Sequence, residues 1–289
     1  MTRLPITKTP KVYVGGAFIR SESGRTFPLK DAASGEFIGH IPQCTRKDLR
    51  NAVEAAAKAG PGWAKRTAYN RGQILYRLAE MIEARTGELT TALAAGGATK
   101  AAAAREVAAS VDRLVHYAGW TDKYEQVLGA VNPVAAPYFN FTVTEPMGVI
   151  GLIAPDEAPL LALVSLFAPA ITCGNTVVAL ASEARPYPAV VLGEMLATSD
   201  LPGGVVNLLT GFRKEMVPTF ATHAHLRAVA GVATAADRKT IETGAADSVK
   251  RVRLLPAEEA LDWFDESRQG LYALRDFVEF KTTWHPVGA

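Results

Sequence analysis

The sequence predicts an α/β protein: a doubly wound parallel sheet with helices before it and a small β arm. Three observations lead there. Gly148–Ala184, GVIGLIAPDEAPLLALVSLFAPAITCGNTVVALASEA, reads as strand, tight turn, apolar helix, Gly-Asn stop and strand. Thr176–Leu180 within it is β-branched and apolar, as a strand buried on both faces should be. Strand and helix then keep alternating to Leu255, which favours parallel crossovers and a Rossmann-like sheet. Such a sheet places a crevice at the carboxyl ends of its strands.

Ahead of that core, Val12-Tyr13-Val14, Gly15-Gly16 and Ala17-Phe18-Ile19 spell a hairpin. Thr26–Leu29 and Glu36–Ile41 read as a second strand pair. Thr45 with Asp48 three residues on is a capping-box start, followed by Leu49, Val53 and Ala56 at helical spacing. Ile74, Leu75, Leu78, Met81 and Ile82 mark a second, amphipathic helix. A third begins after Gly87 and breaks at Gly96-Gly97. An alanine-rich helix from about Thr99 to Trp120 is expected to carry Val107, Val111, Leu114 and Val115 inward. After a Gln126–Pro137 connector, Tyr138–Glu145 alternates, with Phe139, Phe141 and Val143 on one face. It reads as a half-buried strand.

Beyond the central βαβ unit, Tyr187–Thr198 reads as helix, Gly204–Leu209 as strand, Lys214–Ala221 as helix and Leu226–Val232 as strand. A helix from Thr234 to about Thr243 and a strand Val249–Leu255 complete the alternation. Pro256–Gly270 is polar and irregular. Phe277–Trp284 alternates again, with Val278, Phe280 and Trp284 on one face.

Bulk composition excludes several classes. The chain has 289 residues, 48% hydrophobic and 21% charged, with a formal net charge of +2. Interspersed charges leave no nucleic-acid footprint and no polybasic membrane patch. Cys44 and Cys173 are the only cysteines, which argues against a disulfide scaffold and for a reducing compartment. MTRLPITKTPKVYVGG has no signal-peptide core, and Ala158–Ile171 is too short to cross a bilayer. A cytoplasmic protein is expected. No GxGxxG, HExxH, CxxC, P-loop or GxSxG is present, and five scattered histidines give no metal spacing.

The order of segments resembles the aldehyde dehydrogenase superfamily over nearly the whole chain. The resemblance rests on KVYVGGAFIRSESGRTFPLKDAASGEFIGHIP, GPGWAKRTAYNRGQILYRLAEMIEAR, EPMGVIGLIAPDEAPL, CGNTVVALASEARP, LPGGVVNLLTG and the tail GLYALRDFVEFKTTWHPVG. It implies a dinucleotide-binding-type domain over 1–132 and 146–256 and an oligomerisation arm over 133–145 and 270–289. The family's catalytic domain is expected to be absent, because RVRLLPAEEALDWFDESRQG passes almost directly to the tail. The rejoined tail favours natural loss over truncation. PYFNFTVTEPMGV is particularly similar to the non-catalytic second domain of two-domain, family-sixteen aldehyde dehydrogenases.

Hemithioacetal chemistry needs a reactive thiolate, and neither cysteine qualifies, so no catalytic residue is assigned. Cys173 ends an apolar helix and reads as core. Cys44 precedes a helix start, a position that can lower a thiol pKa, yet it lies far in sequence from the crevice. Glu157 stands where the resemblance implies an oxyanion-binding asparagine, and Leu180 where it implies a ribose-binding lysine. Ile153, Pro155, Ser182, Glu183 and Gly211 survive as a vestigial cofactor site, with Glu183 aligned by the resemblance to the family's ribose-side glutamate, though turns or caps retained for folding are the preferred reading. Arg213 replaces a small residue. Thr234-Ala235-Ala236-Asp237 stands at the family's Gly-Ser-Thr-Glu turn, where Asp237 would compete with a pyrophosphate. Arg185, Arg213 and Lys214 read as solvated surface, or as a phosphate contact.

The expectation is therefore no cofactor, with NAD or NADP as the alternative, and no metal. The partner expected is a catalytic aldehyde dehydrogenase subunit bound through Tyr138–Glu145 and Phe277–Trp284. The other reading is a component of an NAD(P)-dependent aldehyde oxidoreductase that contributes a composite or degenerate cofactor site.

Overall fold

The computed structural model describes residues 8–288. Residues 1–7 and 289, at the ends of the first domain and of the arm as read from sequence, lie outside the described residues. A seven-stranded sheet runs in the order β11-β10-β7-β8-β9-β1-β2. Val149–Ile153 (β7), Thr176–Leu180 (β8), Val206–Leu209 (β9), Leu226–Ala233 (β10) and Arg251–Pro256 (β11) are mutually parallel. The hairpin Val12–Val14 (β1) and Ala17–Ile19 (β2) joins the same sheet antiparallel, through Tyr13 opposite Leu208. Thr26–Lys30 (β3) and Phe37–Pro42 (β4) form a separate pair.

The strand order reverses between β7 and β10, the place where a doubly wound sheet opens its crevice. There the backbones approach closely. A Cβ on Gly231, at φ +129°, would stand 2.1 Å from the Ile153 carbonyl oxygen, so only glycine fits.

Arg46–Ala64 (α1) starts at the Thr45–Asp48 capping box. Ala68–Ala84 (α2), Thr86–Ala95 (α3) and Lys100–Ala118 (α4) precede the sheet core. Leu161–Thr172 (α6), every residue of it buried, crosses from β7 to β8. Tyr187–Thr198 (α7), Arg213–Thr222 (α8) and Ala235–Ala246 (α9) make the remaining crossovers. Two apolar clusters line the sheet, one holding α2, α4, α6 and α7 residues, the other α1, α8 and Ile241 of α9.

Several expectations are corrected. Val115 is exposed; the inward face of α4 carries Glu106, Ser110, Arg113 and Tyr117 beside Val107 and Leu114. Glu106, Ser110 and Arg113 are buried with partners, whereas the Tyr117 hydroxyl has none. Glu106 Oε1 accepts the Leu160 and Leu161 N–H groups at 2.8 and 3.2 Å, capping α6. Arg113 donates to Ser165 Oγ (3.0 Å) and to the Trp263 carbonyl (3.0 Å). The last core strand starts at Arg251, because Val249 has φ +51° and is exposed.

Tyr124–Leu128 (α5) runs into the connector, which also holds Ala130–Asn132 (β5), and β5 pairs with Tyr138–Pro146 (β6). The arm is therefore the sheet β12-β6-β5, where Val278–Pro286 is β12. Strand β6 is not half-buried by its apolar face: Phe139 and Val143 are exposed and Asn140 is the buried residue. Asn140 is held by Asn132 Nδ2, which donates to its side-chain oxygen at 2.6 Å.

Pro256–Gly270 is not a solvated loop throughout. Trp263 is buried, and the guanidinium of Arg105 lies 4.0 Å from the Phe264 ring centroid. Leu271–Arg275 (α10) follows and packs on α6 and α5.

Candidate functional site

The carboxyl ends of β7, β8 and β9 bring Pro155, Ser182 and Glu183 to one crevice, where Ser182 bonds Asp156 and Glu183 bonds the Arg213 N–H. The chain leaves β7 through Ala154-Pro155-Asp156, and α6 begins only at Leu161, so Pro155 is a turn residue rather than a helix start. Asp156 organises the turn. Its Oδ1 accepts from Ser182 Oγ (2.6 Å) and from the Ala184 N–H (3.1 Å). Ser182 Oγ in turn accepts the Arg185 N–H at 2.8 Å. Ser182 thus works as a turn brace between the β7 and β8 loops.

Glu183, the position the resemblance assigns to the ribose side, faces the start of α8. Its Oε2 accepts the Arg213 N–H at 2.7 Å. The Arg213 side chain lies across the crevice, not on a solvated surface: it is only 16% exposed. Nη2 donates to the Ala154 carbonyl at 2.8 Å and stands 3.6 Å from Asp156 Oδ1. Its Nε is buried without a partner. Arg185 and Lys214 are exposed, as expected.

Arg213 had a legible signal. Two cations in the first turn of a helix oppose its dipole, so a nearby acceptor set is required. Asp156 carried no such signal, because its partners come from a loop 26 residues away.

The start of α9 is also supplied internally. Thr234 Oγ1 accepts the Asp237 N–H at 3.2 Å, and Glu258 Oε1 accepts the Ala235 N–H at 3.1 Å. Glu258, from the segment after β11, thus adds its carboxylate where Asp237 alone was expected to compete with a phosphate.

The remaining positions are part of the packing. Ile153 and Leu180 are buried core residues. Gly211, at φ +149°, lets the backbone pass Cys44, whose carbonyl would lie 3.0 Å from an added Cβ. Glu157 is exposed at the turn.

Both thiols are inert by environment. Burial pushes Cys44 up to about 12, reversing the expectation that its helix-start position lowers the pKa. Cys173 is pushed up further by complete burial, and its Sγ lies 3.7 Å from the Leu274 carbonyl. A thiol kept protonated is a poor nucleophile.

A cavity of about 1140 Å³ lies elsewhere, between β2, α3 and α7, lined by Phe18, Arg20, Arg85, Val191 and Glu194. Among the described residues no group of three metal-ligating side chains occurs, and no helix is long and apolar enough to cross a membrane.

These elements make a doubly wound, Rossmann-like sheet with a switch-point crevice and a separate three-stranded β arm. Residues 18–256 match the aldehyde dehydrogenase family, and the chain belongs to it. It is 36% identical over 253 residues to retinal dehydrogenase 2 of Gallus gallus, covering 86% of this chain and 48% of that protein. It is 31% identical over 250 residues to the putative aldehyde dehydrogenase DhaS of Bacillus subtilis, covering 85% and 50%. The NAD+ complex of an aldehyde dehydrogenase from Bacillus cereus superposes with a TM-score of 0.82 at 28% identity, covering 86% of this chain and 51% of that one. The chain spans about half the length of the relatives it matches. The family match ends at Pro256, with β11.

Proposed function

We propose that this chain is a non-catalytic aldehyde dehydrogenase-like subunit that assembles with a catalytic aldehyde dehydrogenase. The observation that carries the reading is the Arg213–Glu183–Asp156 network. It fills the crevice with the protein's own groups and uses the glutamate a ribose would need. On this reading a nucleotide entering the crevice would have to displace the Arg213 side chain, whose Nη2 is held by the Ala154 carbonyl. Leu180 offers no hydrogen bond, and Glu258 brings a carboxylate to the start of α9.

Two further features support the reading. Neither thiol is available as a nucleophile. The segment after β11 is also tied down, which suits a chain built without a catalytic domain. Arg251 Nη1 donates to the Asp276 and Val278 carbonyls, each at 2.9 Å, and Asn175 Nδ2 donates to the Phe277 carbonyl at 2.8 Å. The β11 strand is thereby joined directly to the arm.

The assembly part rests on β12. It pairs with β6 on one side, and in the sheet order it is an edge strand. An edge carrying exposed Phe280 and Trp284 invites strand addition. Co-expression with a catalytic aldehyde dehydrogenase from the same source, followed by size exclusion, is expected to give a co-eluting complex. Separate elution would overturn the reading.

The other reading is a degenerate contribution to an NAD(P)-dependent aldehyde oxidoreductase. It draws on the retained Ile153, Pro155, Ser182, Glu183 and Gly211, and on relatives whose structures hold NAD. A thermal shift with NAD and NADP separates the two, since a ligand of the native state must raise its stability.

A further inference from the structure

The cavity between β2, α3 and α7 lies apart from both the crevice and the arm. It holds about 1140 Å³, and Phe18, Ile38, Val190, Val191 and Ala197 supply an apolar wall. Ligand sites are concave and mostly apolar, about 300–1,000 Å³ in volume, with a few charged groups that fix orientation.

The charged groups of this cavity fall into two sets. At the α3–α7 end they cancel. Arg85 Nε donates to Glu88 Oε1 at 2.8 Å, and Arg85 Nη2 bonds both Glu88 and Glu194. Lys8 Nζ stands 3.1 Å from Glu194 and 3.5 Å from Glu88. Two cations and two carboxylates thus close one neutral network.

The hairpin end is different. Val12 pairs with Ile19, so Lys11 and Arg20 are the next residues along the two strands. Lys11 lies two residues from Tyr13, and Arg20 two residues from Phe18. Side chains alternate along a strand, so both cations share the face of Tyr13 and Phe18. That face looks at α7: a Cβ on Gly193 would stand 3.0 Å from the Tyr13 Cβ and 3.4 Å from the Phe18 ring. Lys11 and Arg20 both line the cavity, and among the described residues neither forms an ion pair. The two carboxylates of the cavity are already engaged at its other end. Like charges facing each other across a strand pair repel. A carboxylate between them turns that repulsion into two ion pairs, and a guanidinium can hold it with two parallel N–H bonds.

We propose that this cavity is a binding site for an apolar monocarboxylate, an aliphatic chain with one acid group. Its carboxylate bridges Lys11 and Arg20, and its chain lies along Phe18 and Val191. Sugars and nucleotides fit the wall poorly, because their hydroxyls would lie unbonded against alkyl groups. A second acid group gains nothing, since the α3–α7 end is neutral. The site uses neither the crevice nor the arm, so it stands or falls apart from the assembly reading.

Isothermal titration calorimetry of the full chain with dodecanoate tests it, with saturable one-to-one binding expected. Dodecanol keeps the chain without the charge, and butanoate the charge without the chain. Each is expected to bind weaker by about tenfold or more. Lys11→Gln/Arg20→Gln removes both ion pairs and should weaken dodecanoate by about tenfold or more. Ala197→Trp, at an exposed position of α7, fills the cavity and should act alike. Circular dichroism of both variants should match wild type, because neither changes a core residue.

The inference fails if wild type ignores dodecanoate, if dodecanol binds equally well, or if either variant binds undiminished. Should a variant misfold, Lys11→Gln alone and the salt dependence of wild type decide. Binding that resists both the single substitution and added sodium chloride counts against the ion pairs. Sedimentation of the chain with phosphatidylglycerol vesicles, without dodecanoate, would assign the two cations to a lipid headgroup and sink the free-carboxylate reading.

Discussion

The crevice and the arm treat their polar and apolar groups in opposite ways. In the crevice Asp156, Ser182, Glu183 and the Arg213 Nη2 all have internal partners, and Leu180 has become core. On the arm, Phe139, Val143, Phe280 and Trp284 are exposed on two faces and β12 is an edge strand. A site kept for a ligand leaves groups waiting; a site released from that duty lets neighbouring side chains satisfy them. A surface kept for another chain shows the reverse. The proposed assembly role rests on this contrast.

The harshest way to break the comparison is Gly231→Ala, because both regions hang on the central sheet. The added methyl meets the Ile153 carbonyl at 2.1 Å and the backbone has φ +129°. The loss should reach about 4 kcal/mol or more, the range of exceptional substitutions. Urea unfolding measures it, and a small change would mean that β7 and β10 can part without cost.

Arg213→Gly addresses the crevice directly. It removes the Nη2 bond to the Ala154 carbonyl and should cost about 1.5–3 kcal/mol, the value of a hydrogen bond to a charged group. In exchange it clears the side chain from the crevice beside Ala154 and Asp156, while the residue-213 backbone N–H still donates to Glu183. NAD at 100 times its Kd stabilises a protein by about 2.7 kcal/mol, so a rise in Tm with NAD is expected in the variant and not in wild type. A wild-type rise would show the crevice to be open as it stands.

Glu106→Gln sharpens the contrast through pH. Burial raises the Glu106 carboxyl against the two N–H groups that favour its charged form. A raised carboxyl contributes its stability while protonated and loses it as pH rises from the ordinary value of 4.5 through the higher folded value. At neutral pH, then, the charge is a cost, and glutamine keeps an oxygen for the α6 cap without it. The variant should exceed wild type in stability at pH 7, with the advantage fading near pH 4. Glu88 and Glu194 run the other way: their carboxyls are held low, by Arg85 above all for Glu88, so wild type also loses stability below the ordinary carboxylate range. An advantage that grows in acid would contradict the assignment.

Most of the core was legible in the sequence. Tyr187–Thr198 and Thr176–Leu180 have the bounds that periodicity predicts, because each is organised by its own apolar pattern. The Thr45–Asp48 capping box is local and was equally readable. Failures came where distant residues decide. Alternation in Phe139–Val143 announced a strand but not which face is covered, since Asn140 is buried by β5 and β12 rather than by apolar content. Val115 sat at helical spacing, yet Arg113 and Tyr117 took the inward face of α4. Of the named positions, Pro155, Ser182 and Glu183 lie in the turns at the strand ends, while Ile153 and Gly211 serve packing. Their present partners, above all Asp156 with Ser182 and Glu258 with Ala235, depend on loops that no spacing rule connects.

The mildest substitution, Phe280→Asp, tests the arm against the crevice most selectively. Phe280 is 46% exposed, and its register partner Thr144 lies on the same face. Removing it leaves the Thr142–Thr282 bond and the Glu145–Lys281 pair in place. Surface changes away from core, caps and buried networks stay within about 0.5 kcal/mol, so the isolated chain should unfold at nearly the wild-type urea midpoint. Binding should respond far more, because a carboxylate buried beside an added strand has no cation opposite it. Co-elution with a catalytic subunit should weaken by at least tenfold in Kd. A variant that loses its fold would make Phe280 a core residue, and one that binds unchanged would move the docking edge off β12.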